Sequence, residues 1–170
     1  MPNQNKVFLF FILSKELLNK LHSYGIEGNI HKNVHQWLSS FLQNRSMRVV
    51  VEGEHSDNAH VDSGIPQGTV LGPLLFLCHI NDLPECVKSQ VRLFADDCIL
   101  YREIKSQQDH QTHQEDLKSL ELWADKWGMK FSAKKCYIMS TRQKSSYFYQ
   151  LDQQIREQVK TNPYLGLKMT

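Results

Sequence analysis

Leucines recur at helical spacing near the start of the chain, at Leu17, Leu18 and Leu21. Ser14 is placed to cap this helix, and Gly25 is placed to end it. A second amphipathic stretch begins at about residue 30, and its apolar positions are Val34, Trp37, Leu38, Phe41 and Leu42. Because each helix has one apolar face, the two helices are predicted to pack against each other.

The middle of the chain predicts a hairpin, a buried helix and a second hairpin. The β-branched run at residues 47–51 is followed by a turn and by a polar strand toward Val61, which is the pattern of a hairpin. Pro73 suits the first turn of a helix over residues 73–81, which is largely apolar and is therefore expected to be buried. Two short apolar runs, residues 91–95 and 98–102, have only two acids between them and predict a tight second hairpin.

A long helix is predicted after this hairpin. Ser106 followed by Asp109 is a capping signature, and Gly128 ends the pattern. The apolar face of the helix is formed by Leu117, Leu120, Trp123, Ala124 and Trp127. Further strands are predicted at residues 136–140, 147–151 and 164–168. The alternation of helices with antiparallel hairpins indicates an α+β fold in one continuous unit.

Composition narrows the class of protein. The chain has 170 residues, of which 41% are hydrophobic and 22% charged, so disorder, collagen and coiled coil are excluded as the main state. The strongest apolar run, residues 7–13, is too short for a membrane span, which needs about 20 residues. No cleavage site of a signal peptide follows that run, so an intracellular protein of the nucleus or cytoplasm, not secreted, is expected. The four cysteines form no C-x-x-C pair and are expected to be reduced thiols.

The charge is unevenly distributed, although the formal net charge is only +2. Residues 126–151 contain no acid and six basic residues, namely Lys126, Lys130, Lys134, Lys135, Arg142 and Lys144. Aromatic residues interleave with these bases, a composition that suits contact with phosphates and stacking on bases. A solvated basic face over an aromatic core explains the same pattern equally well.

Two short motifs carry candidate chemistry. Asp96 and Asp97 at the tip of a hairpin repel each other unless a cation compensates, and Mg²⁺ accepts carboxylate oxygens. Taken alone, an Asp-Asp pair is more typical of an ordinary turn. The glycine-rich loop at residues 64–69 would let a ligand approach the main chain closely, and it precedes the acid pair with an apolar helix between them.

The order of these motifs resembles that of a known family. Residues 63–76 (SGIPQGTVLGPLLF) are similar to its S-G-x-P-Q-G-x-x-L-x-P-x-L-F loop and helix, and residues 94–97 (FADD) to its [FY]-x-D-D hairpin. The WGMKF segment with Lys134 and Lys135 after it, and the YLG triplet at Tyr164, are similar to the two motifs that follow. From about residue 14 to the end, the chain resembles the reverse transcriptases of non-LTR retrotransposons, which are similar in outline to group II intron enzymes.

The resemblance implies a partial polymerase palm, with an antiparallel sheet, packed helices, a β-hairpin carrying the two acids and the start of a thumb. It implies templated nucleotidyl transfer with Mg²⁺ or Mn²⁺, with an RNA template, a DNA primer and a deoxynucleoside triphosphate as partners. The implied metal ligands and catalytic acids are Asp96 and Asp97. Lys135 is implied to stabilise charge or donate a proton; the alternative is that Lys135 is an ordinary solvated lysine of the basic stretch. The implied nucleotide and template contacts are Gly64, Pro66, Gln67, Gly68 and Phe94. The implied primer support is Tyr164, Leu165 and Gly166.

The sequence departs from the family at its start. A further carboxylate is expected on a strand before Ser14, yet residues 1–13 contain no Asp or Glu. We therefore expect residues 1–13 to be an atypical apolar segment in place of the first catalytic strand, and residues 14–170 to be a partial palm domain that is inactive alone. The alternatives are a non-catalytic module that binds RNA or an RNA/DNA hybrid, and a retroelement relic without function.

Overall fold

The computed structural model describes residues 2–10, 14–25, 28–61, 63–132, 135–140, 147–164 and 167–169. The chain forms two compact units, one of residues 1–10 with 81–170 and one of residues 11–80. In chain order the elements are β1 (Pro2–Phe10), α1 (Ser14–Ser23), α2 (Gly28–Leu42), β2 (Arg45–Met47), β3 (Val50–Val51), β4 (Glu54–His55), β5 (Ala59–Val61), α3 (Leu71–Ile80), a 3₁₀ turn (Leu83–Cys86), β6 (Gln90–Phe94), β7 (Asp97–Glu103), α4 (Gln107–Lys126), β8 (Lys130–Phe131), β9 (Tyr137–Ser140), β10 (Gln150–Leu151), β11 (Gln154–Ile155), β12 (Glu157–Val159), β13 (Asn162–Tyr164) and β14 (Leu167–Met169).

The unit of residues 11–80 is built around α1, which packs on both α2 and α3. Leu17, Leu18 and Leu21 are buried, as their spacing predicts, and Gly25 ends the helix with φ +77°. Lys20 is also buried, and its ammonium group donates to the backbone carbonyl of His79. The carbonyls at the end of a helix carry partial negative charge, so this lysine stabilises the last turn of α3.

On two helices of this unit, only some of the predicted apolar positions are buried. On α2, Leu38 is buried, but Val34 and Trp37 are exposed, and the Trp37 ring stacks on Phe41 with centroids 5.8 Å apart. On α3, Leu74 and Leu77 are exposed, so the prediction of a buried helix is wrong for this face. The reason is geometric: α3 is apolar on all sides, whereas α1 can cover only one side.

Helix α3 also begins two residues before Pro73. The Thr69 hydroxyl accepts a hydrogen bond from the Gly72 amide at 3.1 Å and donates one to the Pro66 carbonyl at 2.8 Å. A threonine oxygen that accepts an amide three residues on satisfies one of the unpaired donors of the first turn. The start of the helix is therefore set by Thr69 and not by the proline.

The other unit is a mixed α and β structure around one sheet. Its strands lie in the order β12-β9-β1-β7-β6, and β8 extends the pairing of β1. All pairs described in this sheet are antiparallel except that of β12 with β9. Helix α4 packs on this sheet through Leu117, Leu120 and Trp123, and it begins with the predicted capping box of Ser106 and Asp109.

The strands predicted near the end of the chain are shorter than expected. Strand β9 lies within the predicted stretch 136–140, whereas only two residues of the stretch 147–151 form a strand, β10. Strands β13 and β14 form a small two-stranded sheet of their own. Tyr147 and Tyr149 pack on a helix rather than in a sheet, which their alternating apolar pattern does not reveal.

Candidate nucleotidyl-transfer site

The acid pair lies at the turn of the hairpin formed by β6 and β7. Phe94 pairs with Asp97 as the last pair of the ladder, so the connecting turn consists of Ala95 and Asp96. The expectation that both acids lie between the strands is therefore corrected by one residue, because Asp97 is the first residue of β7. Ala95 adopts φ +48°, a conformation that L-residues avoid, and this conformation lets the turn close in two residues.

The side chains around the turn differ in exposure. Phe94 is 58% exposed and Asp96 is exposed, whereas Asp97 is half-buried and Cys98 is completely buried. Burial, together with the neighbouring Cys86, Cys136 and Asp97, raises the pKa of the Cys98 thiol to about 12. Cys98 therefore stays protonated and inert.

Strand β1 lies beside β7 and determines what faces the acids. Its register pairs Phe8 with Asp97 and Val7 with Cys98. The backbone position paired with Asp97 on the neighbouring strand is therefore occupied by an apolar residue. Residues 1–13 contain no Asp or Glu that could take this position under another register.

The side chains near the turn can be compared with those needed to bind the metal ions that the resemblance implies. Within the described parts of the chain, no group of three or more His, Cys, Asp or Glu side chains is placed to hold a metal ion. Asp96 and Asp97 offer the oxygen ligands that Mg²⁺ takes, but two adjacent carboxylates without a third do not fit a pair of ions.

Lys135 lies at the same end of the sheet as the acids. Strand β9 begins at Tyr137, which pairs with Lys6 of β1, and Lys135 precedes this strand by two residues. The side chain is exposed, and the backbone amide donates to the Ser132 carbonyl at 2.9 Å.

The glycine-rich loop belongs to the unit of residues 11–80. Gly64 and Gly68 adopt φ +82° and +77°, which only glycine takes up without strain. The Arg45 guanidinium group donates to the carbonyls of Ser63 at 3.3 Å and Gly64 at 2.6 Å, and so fixes the start of the loop. Gln67 is exposed at its tip.

Sequence reasoning missed Arg45, whose Nε also donates to the Leu42 carbonyl at 2.8 Å. The sequence signal was an arginine three residues after the end of the predicted helix, and it did not indicate which carbonyls the arginine would bind. The predicted primer-supporting Tyr164 ends β13, and Leu165 and Gly166 lie outside the described residues.

The basic stretch is partly a surface and partly a core. Lys126, Lys130 and Lys135 are exposed, while Lys134, Arg142 and Lys144 lie outside the described residues. Several aromatics of the stretch point inward: Phe131 and Tyr149 are buried, and the Tyr149 hydroxyl lies 2.6 Å from Nδ1 of His110. Phe148, at 72% exposure, is the most accessible of the described aromatic rings here.

Comparison with known proteins decides the family. The family model for reverse transcriptase (RNA-dependent DNA polymerase) matches residues 8–169. The chain belongs to the reverse transcriptase family. The resemblance seen in the motifs is thereby confirmed.

Similar proteins come from mobile elements of flies. The RNA-directed DNA polymerase from mobile element jockey of Drosophila melanogaster is 32% identical over 108 residues, which cover 58% of the chain and 12% of that protein. A protein named as a probable RNA-directed DNA polymerase from transposon BS of the same species is 29% identical over 145 residues, which cover 78% of the chain and 16% of that protein. The chain therefore spans about an eighth to a sixth of the length of these curated relatives. In the described parts of this reverse transcriptase chain, no helix is long and apolar enough to cross a membrane.

Proposed function

We propose that this chain is a palm-type fragment of an RNA-directed DNA polymerase whose catalytic centre is incomplete. The observation that carries the proposal is the register of β1, because Phe8 lies opposite Asp97 where a third carboxylate would have to stand. A polymerase of the two-metal type needs acids that hold both ions, and two adjacent carboxylates supply ligands for one. Residues 1–13 would then replace the first catalytic strand.

The residues of the fragment would keep their family positions. Asp96 and Asp97 would bind a single divalent ion, and Lys135 would stabilise charge on the leaving phosphates. Gly64, Pro66, Gln67, Gly68 and Phe94 would line the nucleotide and template pocket, and Tyr164 with the two residues after it would support a primer. The exposed Gln67 and Phe94 are accessible to such ligands, which supports this assignment.

The direct test is primer extension on an RNA template with a DNA primer, all four deoxynucleoside triphosphates and either Mg²⁺ or Mn²⁺. We expect no templated incorporation by the 170-residue chain. Templated incorporation that disappears in Asp96→Ala would show a complete centre and contradict the proposal. Asp125→Asn, which changes an exposed acid on α4, is the matched control.

A second candidate function is non-catalytic binding of RNA or an RNA/DNA hybrid. It is favoured by the exposure of Lys126, Lys130 and Lys135 together with that of Phe148. Basic side chains release counterions from the phosphate backbone, and an exposed ring can stack on a base without regard to sequence.

This candidate predicts a particular salt dependence. If three or four bases contact phosphate, the slope of log affinity against log salt concentration should be about −2 to −4. Replacing Lys134 and Lys135 with Ala should make the slope shallower by up to about 2, whereas Asp96→Asn should leave binding intact or strengthen it. A double variant with the parent's affinity and slope would identify the stretch as an ordinary solvated face.

A further inference from the structure

The hairpin of residues 45–61 has an unusually accessible surface. Every residue from 46 to 60 is exposed. Strand β2 pairs with β5 and β3 pairs with β4, and among the described residues no third strand joins them. Because a two-stranded hairpin is only marginally stable alone in water, such a hairpin gains stability from any strand that pairs with its edge.

The two edges of this hairpin are very different. The outgoing edge carries Met47, Val49, Val50 and Val51, which are 63%, 64%, 54% and 64% exposed. The return edge, residues 54–60, is mostly polar and includes two acids and two histidines. Each strand carries two charged residues, but from residue 47 to residue 51 only Arg48 interrupts the apolar side chains, so the outgoing edge has little of the polar cover that usually protects a strand edge.

The return edge is also interrupted by a bulge. Between the paired segments, the two residues 48–49 face the three residues 56–58. Ser56 fills the gap, because its hydroxyl accepts from the Val49 amide at 2.9 Å and donates to the Asp57 carbonyl at 3.0 Å. A bulge disturbs the row of amides that another strand would need, so only the outgoing edge is open to pairing.

The turn determines which backbone groups face outward. Glu52 and Gly53 have φ +52° and +88°, as in a two-residue hairpin turn. In such a turn the flanking pair, Val51 with Glu54, is hydrogen-bonded, so the next pair, Val50 with His55, is not. The N–H and C=O groups of Val50 therefore point away from the hairpin.

We propose that the outgoing edge pairs with the same edge of a second copy of this chain, antiparallel and centred on Val50. In that register the two Val50 residues exchange both of their outward backbone hydrogen bonds on the twofold axis. Val49 then lies opposite Val51 of the second copy, and Arg48 comes level with Glu52, the first residue of the turn, within reach of its long side chain at both ends. Opposite charges and β-branched pairs directly across strands are favourable, so the edge is complementary to itself.

The alternative occupant is nucleic acid, and the charges of the hairpin argue against it. Residues 45–61 contain two arginines against three acids. A phosphate backbone is bound by an excess of positive charge, which this hairpin lacks. Because the return edge is blocked, pairing stops at two copies and gives a closed dimer rather than a fibre.

Sedimentation equilibrium of the 170-residue chain, from low micromolar to several hundred micromolar, tests the proposal. We expect a monomer–dimer equilibrium. The single variants Arg48→Glu and Glu52→Arg each place like charges opposite one another at both ends, so dimerisation should weaken at least about tenfold in either one. A chain that stays monomeric throughout, or single variants that associate as well as the parent, would overturn the proposal.

Mixing the two single variants gives the sharpest outcome. In a mixed pair, the acid introduced at position 48 of one chain faces the base introduced at position 52 of the other, and the unchanged Arg48 faces the unchanged Glu52. A one-to-one complex should therefore form although neither variant pairs with itself. Glu54→Arg, on the return edge, is the matched control and should dimerise like the parent. If mixing the two variants does not restore dimerisation, the antiparallel register is wrong. Far-ultraviolet circular dichroism of each variant checks that the fold is retained.

Discussion

The two compact units differ in how many of their large apolar side chains are exposed to solvent. In the unit of residues 1–10 and 81–170, helix α4 buries Leu117, Leu120 and Trp123 against the sheet. In the unit of residues 11–80, helix α3 leaves Leu74 and Leu77 56% and 51% exposed. Among the described residues, ten of the fourteen exposed large hydrophobic side chains lie in this second unit, although it is the shorter one.

The polar groups show the same difference. Asp116, buried on α4, accepts the backbone amides of Lys88 and Ser89 at 2.8 Å each, and so ties the helix to the chain before β6. The Gln114 amide makes two hydrogen bonds with the backbone of Gln150, as a neighbouring strand would. The unit of residues 1–10 and 81–170, the sheet unit, thus holds α4 in place with its own hydrogen bonds. Exposed apolar faces such as those of the other unit are typical of surfaces that bind further protein or nucleic acid.

The largest expected effect comes from the core of the sheet unit. Leu120→Ala should lower the free energy of unfolding by about 2–5 kcal/mol, because Leu120 is completely buried. Leu77→Ala should lower it by less than about 1 kcal/mol, because half of that side chain is already in water. Urea denaturation followed by circular dichroism measures both, and equal losses would contradict the difference between the units.

Lowering the pH should reduce the stability of the sheet unit nearly as much as Leu120→Ala does. Burial lowers the pKa of His113 to about 4; Asp116 opposes this shift, and Arg102 and His110 add to it. The unfolded chain takes up the proton near pH 6.5, so stability is complete above that pH and falls as the pH drops to about 4, by roughly 3 kcal/mol.

The comparison for this prediction is His113→Leu, which removes the titrating group. Urea midpoints measured between pH 7 and pH 4 should fall less steeply in this variant than in the parent. A parent whose stability rises as the pH is lowered would contradict the burial of a neutral His113.

The helix caps offer a third comparison between the units. Ser106→Ala removes the hydroxyl that accepts the Asp109 amide in α4, and Thr69→Ala removes the one that accepts the Gly72 amide in α3. Each should cost about 1 kcal/mol of unfolding free energy. Thr69→Ala should in addition speed amide hydrogen exchange in the glycine-rich loop, since Thr69 also holds the Pro66 carbonyl. Equal exchange in parent and variant would rule out this role of Thr69.

Much of the fold follows from local signals in the sequence, and the exceptions have physical reasons. The capping box at Ser106, the leucine face of α1 and both hairpins were predicted from residue type and spacing. The exposure of Trp37 agrees with the expectation that a palm fragment leaves apolar surface uncovered there. The exposure of Leu74 was not predicted, because periodicity tells which face is apolar but not whether anything covers it. The left-handed Ala95 was also missed, since alanine gives no signal for a positive φ.

The candidate site was predictable in its parts but not in its arrangement. The motif positions gave Asp96, Asp97 and Gln67 as candidates, and their roles stay predictions, whereas the family is confirmed. The pairing of Phe8 with Asp97 depends on strand register, which a run of apolar residues does not specify.

The smallest expected effect concerns the exposed face of α3. Leu74→Gln combined with Leu77→Lys should change the free energy of unfolding by no more than about 1 kcal/mol while raising solubility, because both positions face water. Solubility is measured by the protein concentration that remains after ultracentrifugation, with Leu122→Gln on α4 as the control. A large loss of stability would show that these leucines are part of a core.

Calorimetric titration with Mn²⁺ tests the central claim, an incomplete catalytic centre, most directly. The account predicts at most one weak binding event, which disappears when Asp96→Asn and Asp97→Asn are combined and remains in Asp125→Asn. Two tight sites that depend on Asp96 and Asp97 would contradict it, because they would require a further ligand that completes a two-metal centre.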